Sequence, residues 1–314
     1  MAPLPNFFIV GAGKTGTTSL HRYLAQHPDI YMSPVKEPCY FADEIRPAAL
    51  STQVQRHVAV QTRALAGLLD DGRPVPALGW LACDWDEYLR LFRQAGGQRA
   101  IGESSAAYLW SATAAQNIAA AVPHARIVMI LRDPAERAYS QYLHQVSVGL
   151  TAASFREHLR ACQGPHAQLG IHHPFLAVGL YYRQVQRYLD RFPRDRVRIY
   201  WYEDAWRDPA ALLRDVFEFL GVDTSFRPDI SERSHARRAP RFAMAHYLMK
   251  RLAVWHPLRA LVPGKLRPAL QRAVFRSPVP MDREDRRWLV DYYRDDIDSL
   301  ASLTGRDLSA WQRI

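Results

Sequence analysis

The stretch FFIVGAGKTGTTSL, at residues 7–20, decides the fold of this chain. Its four leading apolar residues run into a turn that is rich in glycine and hydroxyl side chains and carries one lysine, Lys14. After the turn, Leu20 and Tyr23 recur at helical spacing until Pro28 interrupts the pattern. The order predicts a strand, a tight loop and a helix. Such a loop directs backbone N–H groups and a helix N-terminus at one point, an arrangement that binds anions.

The glycine-rich loop, residues 13–19, combines three features that suit a bound phosphate. Glycines let the backbone approach an oxygen closely, hydroxyl groups donate hydrogen bonds, and an ammonium adds a point charge. The candidate anion-binding residues are Gly13, Lys14, Thr15, Gly16, Thr17, Thr18 and Ser19.

Two known phosphate-binding loops fit this stretch incompletely. Gly11 and Gly16 have the spacing of the kinase loop G-x-x-x-x-G-K-[ST], but Thr17 occupies the lysine position. Gly11, Gly13 and Gly16 match the dinucleotide pattern G-x-G-x-x-G. That pattern also needs an acidic residue at the end of the next strand, and Asp29 comes before the next apolar residues. A small-molecule kinase that uses ATP and Mg²⁺ stays open as an alternative.

The segment GKTGTTS, residues 13–19, closely resembles the K-x-G-T-T loop of sulfotransferases that use 3′-phosphoadenosine-5′-phosphosulfate (PAPS). The resemblance implies that the loop holds the phosphosulfate end of PAPS. Because negative charge builds on the oxygen that leaves toward the 5′-phosphate, Lys14 and the loop N–H groups are expected to stabilise it. The product would be 3′,5′-ADP, and we expect no metal.

The composition is that of a soluble globular protein with an anionic ligand. The 314 residues are 48% hydrophobic and carry a net charge of +10. No segment reaches the roughly 18 apolar residues of a membrane span, and the N-terminus lacks the basic region of a signal peptide. Three cysteines without metal-binding spacing favour a reducing compartment, so we expect a cytoplasmic protein. The charge alone also fits a basic module that binds membranes or nucleic acid.

Positive charge in this chain is carried almost entirely by arginine. Of the 41 basic residues, 37 are arginine and four are lysine, and two of those lysines are Lys14 and Lys36. A compact ammonium suits a single oxygen better than a planar guanidinium does. The choice of lysine therefore favours a specific role at these two positions.

A second block, KEPCYF at residues 36–41, lies just after the first helix–strand unit. The residues alone favour a solvated Lys36–Glu37 pair on a loop. The block also resembles the sulfotransferase motif E-x-x-[FY]-F, which Glu37 and Phe41 match. The resemblance implies that Glu37 is the general base that takes the proton of the acceptor.

A third block, RDPAERAYS at residues 132–140, follows a predicted strand. Asp133 and Pro134 predict a capped helix start. Arg132 lies at the carboxyl end of a strand, where α/β proteins bind ligands. The block matches the sulfotransferase pattern R-D-P-x-x-R-x-x-S, which implies that Arg132 and Ser140 hold the 3′-phosphate of the cosubstrate.

Further segments carry a weaker signal. GESSAAY, residues 102–108, resembles the family segment G-E-K-[ST]-P-x-Y, with Ser104 in place of the lysine. Glu103 on its own predicts a strand-end carboxylate that faces solvent. Glu103 and the histidines of residues 166–173 are the reserve candidates for the base. The resemblance also implies that a basic loop with Arg237 and Arg238 closes over the cosubstrate.

Apolar strands alternate with capped helices, which predicts an α/β fold with a central parallel sheet and helices on both faces. The resemblance implies the P-loop-like sulfotransferase fold, as a single domain over residues 1–314. Residues 43–98 are expected to form an acceptor-site insertion and residues 241–280 a helical cover, which we favour over a membrane-binding helix. The acceptor would be a hydroxyl or amine, for instance of a sugar or glycolipid. We expect no nucleic-acid partner, and the sequence does not address the oligomeric state.

Overall fold

The computed structural model describes residues 3–45, 84–163, 175–231, 239–251, 274–277 and 279–314. Much of the predicted insertion and most of the predicted cover lie outside the described residues, as do Arg237, Arg238 and the histidines of residues 166–173. The chain forms two compact units. The first comprises Met1–Arg132, Leu180–Ser234 and Asp296–Arg306, and the second comprises Asp133–Gly179, His235–Asp295 and Asp307–Ile314.

The first unit is built on a parallel sheet of five strands. In chain order the strands are β1 (Phe7–Gly11), β2 (Ile30–Met32), β3 (Ala100–Ser104), β4 (Arg126–Leu131) and β5 (Val197–Trp201). Their order across the sheet is β2-β3-β1-β4-β5, and every neighbouring pair is parallel. This confirms the predicted central parallel sheet. Because β1 is the middle strand, the loop after it lies between the ends of β3 and β4 at the carboxyl edge.

The described residues contain α-helices in both units. In chain order they are α1 (Thr17–Leu24), α2 (Trp85–Arg90), α3 (Ala107–Trp110), α4 (Ala114–Ala121), α5 (Pro134–Ser147), α6 (Phe155–Ala161), α7 (Tyr181–Leu189), α8 (Tyr202–Ala205), α9 (Pro209–Leu220), α10 (Ala243–Arg251) and α11 (Arg283–Thr304). None of the helices among the described residues is both long and apolar enough to cross a membrane.

One face of the sheet is covered by α1 and α9. Alternate side chains of a strand point to opposite faces, so Phe7 and Ile9 share a face. Both belong to a buried cluster with Leu20 of α1 and with Leu213 and Phe217 of α9. This cluster fixes α1, and with it the loop that precedes α1, against the middle of the sheet.

The other face is covered by aromatic side chains. Phe8 of β1 packs edge-to-face on Phe41, with ring centroids 5.6 Å apart, and on Tyr108 of α3, with centroids 6.5 Å apart. Phe41 also packs on Tyr88 of α2, at 5.4 Å. Such rings contribute both buried area and a preferred geometry. Helices therefore lie on both faces of the sheet, as predicted.

The second unit begins with α5. Asp133 caps this helix as predicted, because its carboxylate accepts hydrogen bonds from the N–H groups of Ala135, at 2.9 Å, and Glu136, at 3.2 Å. The same carboxylate pairs with Arg286 of α11 at 2.7 Å. Arg137 is fully buried and donates to the carbonyl of Phe175 at 2.6 Å. Within the predicted cover, residues 243–251 are helical.

Candidate functional site

The glycine-rich loop begins α1 with a left-handed residue. Gly16 is the N-cap of α1 and has φ +87°. A Cβ atom at this position would lie 2.5 Å from the ring of Trp206, which real side chains do not tolerate. Glycine is therefore required at position 16 both by the backbone conformation and by the close approach of an indole.

Three carbonyl groups of the loop are held by hydrogen bonds. Thr15 Oγ1 donates to the Ala12 carbonyl at 2.7 Å, Arg132 Nη1 donates to the Lys14 carbonyl at 3.3 Å, and Trp206 Nε1 donates to the Thr15 carbonyl at 2.9 Å. In a trans peptide the N–H points opposite to the C=O. Each N–H that follows one of these carbonyls is therefore turned away from the group that holds the carbonyl.

The N–H groups whose direction is fixed by the held carbonyls are those of Gly13, Thr15 and Gly16. Within the described part of the chain, none of the three makes a hydrogen bond. Unpaired amides beside a helix N-terminus and a lysine form a site for an anion. The arrangement suits a ligand that carries oxygens and negative charge.

Arg132 lies at the end of β4, next to β1, and is 4% exposed. Its guanidinium centre lies 4.5 Å from the centroid of the Tyr202 ring, in a cation–π contact. Tyr202 and Trp206 both follow β5 and are four residues apart. Sequence reasoning missed these two aromatic residues, because aromatic residues after a strand are common in α/β proteins and these two belong to no motif.

We expect the indole N–H of Trp206 to contribute measurably to anion binding by the loop. Trp206→Phe keeps a ring against Gly16 but removes the donor to the Thr15 carbonyl. One hydrogen bond is worth about 1 kcal/mol, so 3′,5′-ADP should bind about fivefold more weakly. Titration calorimetry measures the change. Trp201→Phe, on β5, is the matched control and should leave the affinity near that of the wild type; an equal loss in both variants would contradict the role of Trp206.

Glu37 is held by the end of β3. It has φ +65°, its N–H donates to the Ser104 carbonyl at 2.9 Å, and its carboxylate accepts from the Ala106 N–H at 2.7 Å. It also pairs with Lys36, whose side chain is only 10% exposed. The interpretation as a solvated pair on a loop is therefore wrong, because backbone bonds to β3 draw the pair into the protein.

The structure corrects the expectation for Glu103. This residue was expected to face solvent, but it is fully buried. Its carboxylate accepts hydrogen bonds from the hydroxyls of Ser105 and Tyr108, both at 2.6 Å, and of Tyr88, at 3.1 Å. Burial raises the pKa of Glu103 to about 7, although these three hydrogen bonds act in the opposite direction.

The remaining predicted site residues lie in three different situations. Ser104, which replaces the lysine of the family segment, is fully buried, and its Oγ has no hydrogen-bond partner among the described residues. Ser140 lies on α5 in the second unit and is 8% exposed. Arg237 and Arg238 lie outside the described residues.

No group of three or more His, Cys, Asp or Glu side chains in the described ranges could hold a metal ion.

Comparisons with known proteins identify the family of this chain. A model of the sulfotransferase family matches residues 5–228. The chain belongs to the sulfotransferase family. It is similar to the crystal structure of a sulfotransferase from Alicyclobacillus acidocaldarius, with 34% identity and a TM-score of 0.71 over 99% of this chain and 100% of that one. The P-loop-like sulfotransferase fold is thereby confirmed.

Curated relatives are similar to the sulfotransferase over nearly its full length. It is 30% identical to human bifunctional heparan sulfate N-deacetylase/N-sulfotransferase 3 and 29% identical to human bifunctional heparan sulfate N-deacetylase/N-sulfotransferase 2, each over 99% of this chain. The chain spans 31% of the length of these relatives. Use of PAPS is a general property of the family, so the kinase and the basic binding module are not favoured.

Proposed function

We propose that this sulfotransferase moves a sulfuryl group from PAPS to an amine or hydroxyl of a carbohydrate acceptor. The observation that carries the proposal is that the glycine-rich loop and Glu37 meet at one edge of the sheet. The loop follows β1, and Glu37 is bound by Ser104 and Ala106 at the end of the neighbouring strand β3. An anion site and a carboxylate at adjacent strand ends suit a group transfer between two substrates.

The loop and Lys14 serve the donor side in this proposal. The N–H groups of the loop and the hydroxyls of Thr17, Thr18 and Ser19 bind the phosphosulfate, whereas the Thr15 hydroxyl donates to the Ala12 carbonyl. Lys14 stabilises the negative charge that forms on the oxygen between sulfur and phosphorus as the sulfur–oxygen bond breaks. Because the loop carbonyls are already held, these donors need little rearrangement during the reaction.

The 3′-phosphate is assigned to Arg132 and Ser140 on the strength of the R-D-P-x-x-R-x-x-S pattern. Arg132 is suited to this role because its guanidinium is anchored by the Lys14 carbonyl and the Tyr202 ring. An anchored guanidinium loses little side-chain entropy when it binds an oxyanion. Arg237 and Arg238 are proposed to close over the cosubstrate.

Glu37 serves the acceptor side. Its carboxylate is oriented by the Ala106 N–H and by Lys36, and 21% of the side chain is exposed. An oriented and accessible carboxylate can take the proton that an amine or hydroxyl loses when it attacks sulfur. The proton therefore moves from the acceptor to Glu37 while the sulfur–oxygen bond to the donor breaks.

The acceptor class is inferred from the relatives, which are named for N-sulfation of heparan sulfate. We expect the protein to consume PAPS rapidly when it is given N-desulfated heparin, a polysaccharide with free amines. Release of 3′,5′-ADP, followed by chromatography, measures this reaction.

Two comparisons make this test specific. Heparin whose amines are N-acetylated should be a poor acceptor, and ATP with Mg²⁺ should not replace PAPS. Equal rates with the amine-bearing and the acetylated polysaccharides would contradict an amine acceptor. Equal rates with and without any polysaccharide would contradict the carbohydrate class, and turnover of ATP in place of PAPS would contradict the proposed donor.

A further inference from the structure

The carboxylate of Glu103 lies in a closed set of hydroxyl donors. The residue is the penultimate residue of β3, on the face that carries the aromatic cluster, and none of it is exposed. A buried carboxylate costs free energy unless it is well bonded. Three hydroxyl groups satisfy it here.

Two of these hydroxyls also bind the backbone of the Glu37 segment, defined as residues 36–41. Ser105 Oγ donates to Glu103 Oε2 at 2.6 Å and accepts the Cys39 N–H at 3.0 Å. Tyr108 Oη donates to Glu103 Oε1 at 2.6 Å and accepts the Phe41 N–H at 3.3 Å. A hydroxyl that donates to a carboxylate directs its lone pairs toward other donors. Glu103 thereby fixes how both hydroxyls face the Glu37 segment.

The Glu37 segment needs such external bonds because its backbone is strained. Glu37 has φ +65° and Cys39 has φ +58°, a region that residues other than glycine seldom occupy. Conformations of this kind persist only where the surrounding structure holds them. The Cys39 and Phe41 bonds lie on the carboxyl side of Glu37, so their loss would let the segment relax toward ordinary φ values.

We propose that Glu103 is a positioning residue that holds Glu37 in place through Ser105 and Tyr108. The inference rests on the proposed function of Glu37 as the base. Glu103 itself is fully buried and acts at a distance from the substrates. Its task is to keep all three hydroxyls in the donor role, which an anion does and a neutral group does not.

The role of Glu103 would make the site sensitive to pH. The groups that face Glu103 are Glu37 and Cys39 on the Glu37 segment, Tyr88 on α2, Tyr108 on α3 and Tyr188 on α7. The pKa of Cys39, Tyr108 and Tyr188 lies well above the ordinary value, chiefly through burial. These three groups therefore stay neutral near neutral pH, whereas Glu103 titrates there.

Below its pKa of about 7, Glu103 gains a proton and becomes a donor itself. In this closed set the new O–H needs an acceptor, and the hydroxyl that accepts it no longer donates to the carboxyl group. We expect turnover by the wild type to fall as the pH drops through about 7. Glu103→Gln, which is neutral at every pH, should lack this step.

Tyr88 provides a matched control. Its hydroxyl also donates to Glu103, at 3.1 Å, whereas the N–H groups of Cys39 and Phe41 bind the hydroxyls of Ser105 and Tyr108. Tyr88→Phe and Tyr108→Phe each remove one hydroxyl from the same carboxylate and keep the ring. Tyr108→Phe also removes the hydrogen bond to the Phe41 N–H.

Hydrogen exchange followed by mass spectrometry tests the positioning role directly. Peptides that cover residues 36–41 should exchange about tenfold faster in Glu103→Gln and Tyr108→Phe than in the wild type or Tyr88→Phe. Peptides from β1 and β4 should be unchanged, which distinguishes a local effect from general destabilisation. Unchanged exchange at residues 36–41 in both variants would overturn the proposal, as would an equal effect of Tyr88→Phe.

Turnover provides the second readout. At about pH 8, Glu103→Gln and Tyr108→Phe should release 3′,5′-ADP from PAPS about tenfold more slowly, because small displacements of a base are costly. Their affinity for 3′,5′-ADP should stay within about a factor of two of the wild type. Wild-type turnover in these variants would overturn the proposal. A wild type that does not turn over PAPS would instead refute the proposed function, and the exchange result would remain interpretable.

Discussion

Lys14→Ala is expected to lower the rate of PAPS turnover by about 100-fold or more. Lys14 is the one basic side chain within the glycine-rich loop. It has φ +70°, a conformation that residues other than glycine seldom adopt. The proposed role is to neutralise charge that exists only as the sulfur–oxygen bond breaks. Removing such an interaction should lower kcat far more than it weakens binding of 3′,5′-ADP.

Lys14→Arg is the control for this experiment. It keeps the charge but replaces a compact ammonium with a planar fork, which cannot direct one charge at one bridging oxygen. We therefore expect little recovery of kcat. Single-turnover measurements with saturating PAPS isolate the chemical step. Recovery to near the wild-type rate would show that any positive charge suffices, and a lower affinity with unchanged kcat would show that Lys14 only binds.

Glu37→Gln is expected to lose nearly all transfer to the acceptor while it binds 3′,5′-ADP like the wild type. The amide oxygen of glutamine can still accept the Ala106 N–H that holds the native carboxylate. The amide cannot take a proton from an attacking amine or hydroxyl. General-base catalysis contributes about 10²- to 10⁴-fold, so the loss should fall in that range.

The measurement compares transfer to the amine-bearing polysaccharide with calorimetric binding of 3′,5′-ADP. Glu37→Asp, which keeps the charge but shortens the side chain, should retain more activity than Glu37→Gln. Near-normal turnover in Glu37→Gln would place the base elsewhere. Of the reserve candidates, Glu103 is fully buried and does not reach a substrate, so the histidines of residues 166–173 would be examined next.

Local sequence patterns were sufficient for the elements that frame the site. The run of residues 7–20 predicted a strand, a loop and a helix, and these are β1, the glycine-rich loop and α1. Asp133 and Pro134 predicted the start of α5, where the Asp133 carboxylate binds two backbone N–H groups. Both predictions depend on interactions between residues only a few positions apart, and such interactions can be inferred from spacing alone.

Two of the three contacts that hold the loop carbonyls could not be inferred in this way. Trp206 and Thr15 are separated by 191 positions, and Arg132 and Lys14 by 118. Arg132 belongs to the R-D-P-x-x-R-x-x-S motif, but the motif did not indicate that the guanidinium of Arg132 binds the Lys14 carbonyl. Trp206 carried none, because an aromatic residue after a strand is common in any α/β core.

What the sequence alone determined is the kind of residue at each strand end: a glycine-rich loop with Lys14, a carboxylate at Glu37 and an arginine at position 132. Only the tertiary structure decided the surroundings of Glu103. Its burial depends on Tyr88, Tyr108 and Ser105 closing over one strand end. Burial is a property of the assembled sheet and its covering helices. The sequence around Glu103 gave no sign of this burial. Once the helices pack on the sheet, Glu103 becomes the group that holds the Glu37 segment.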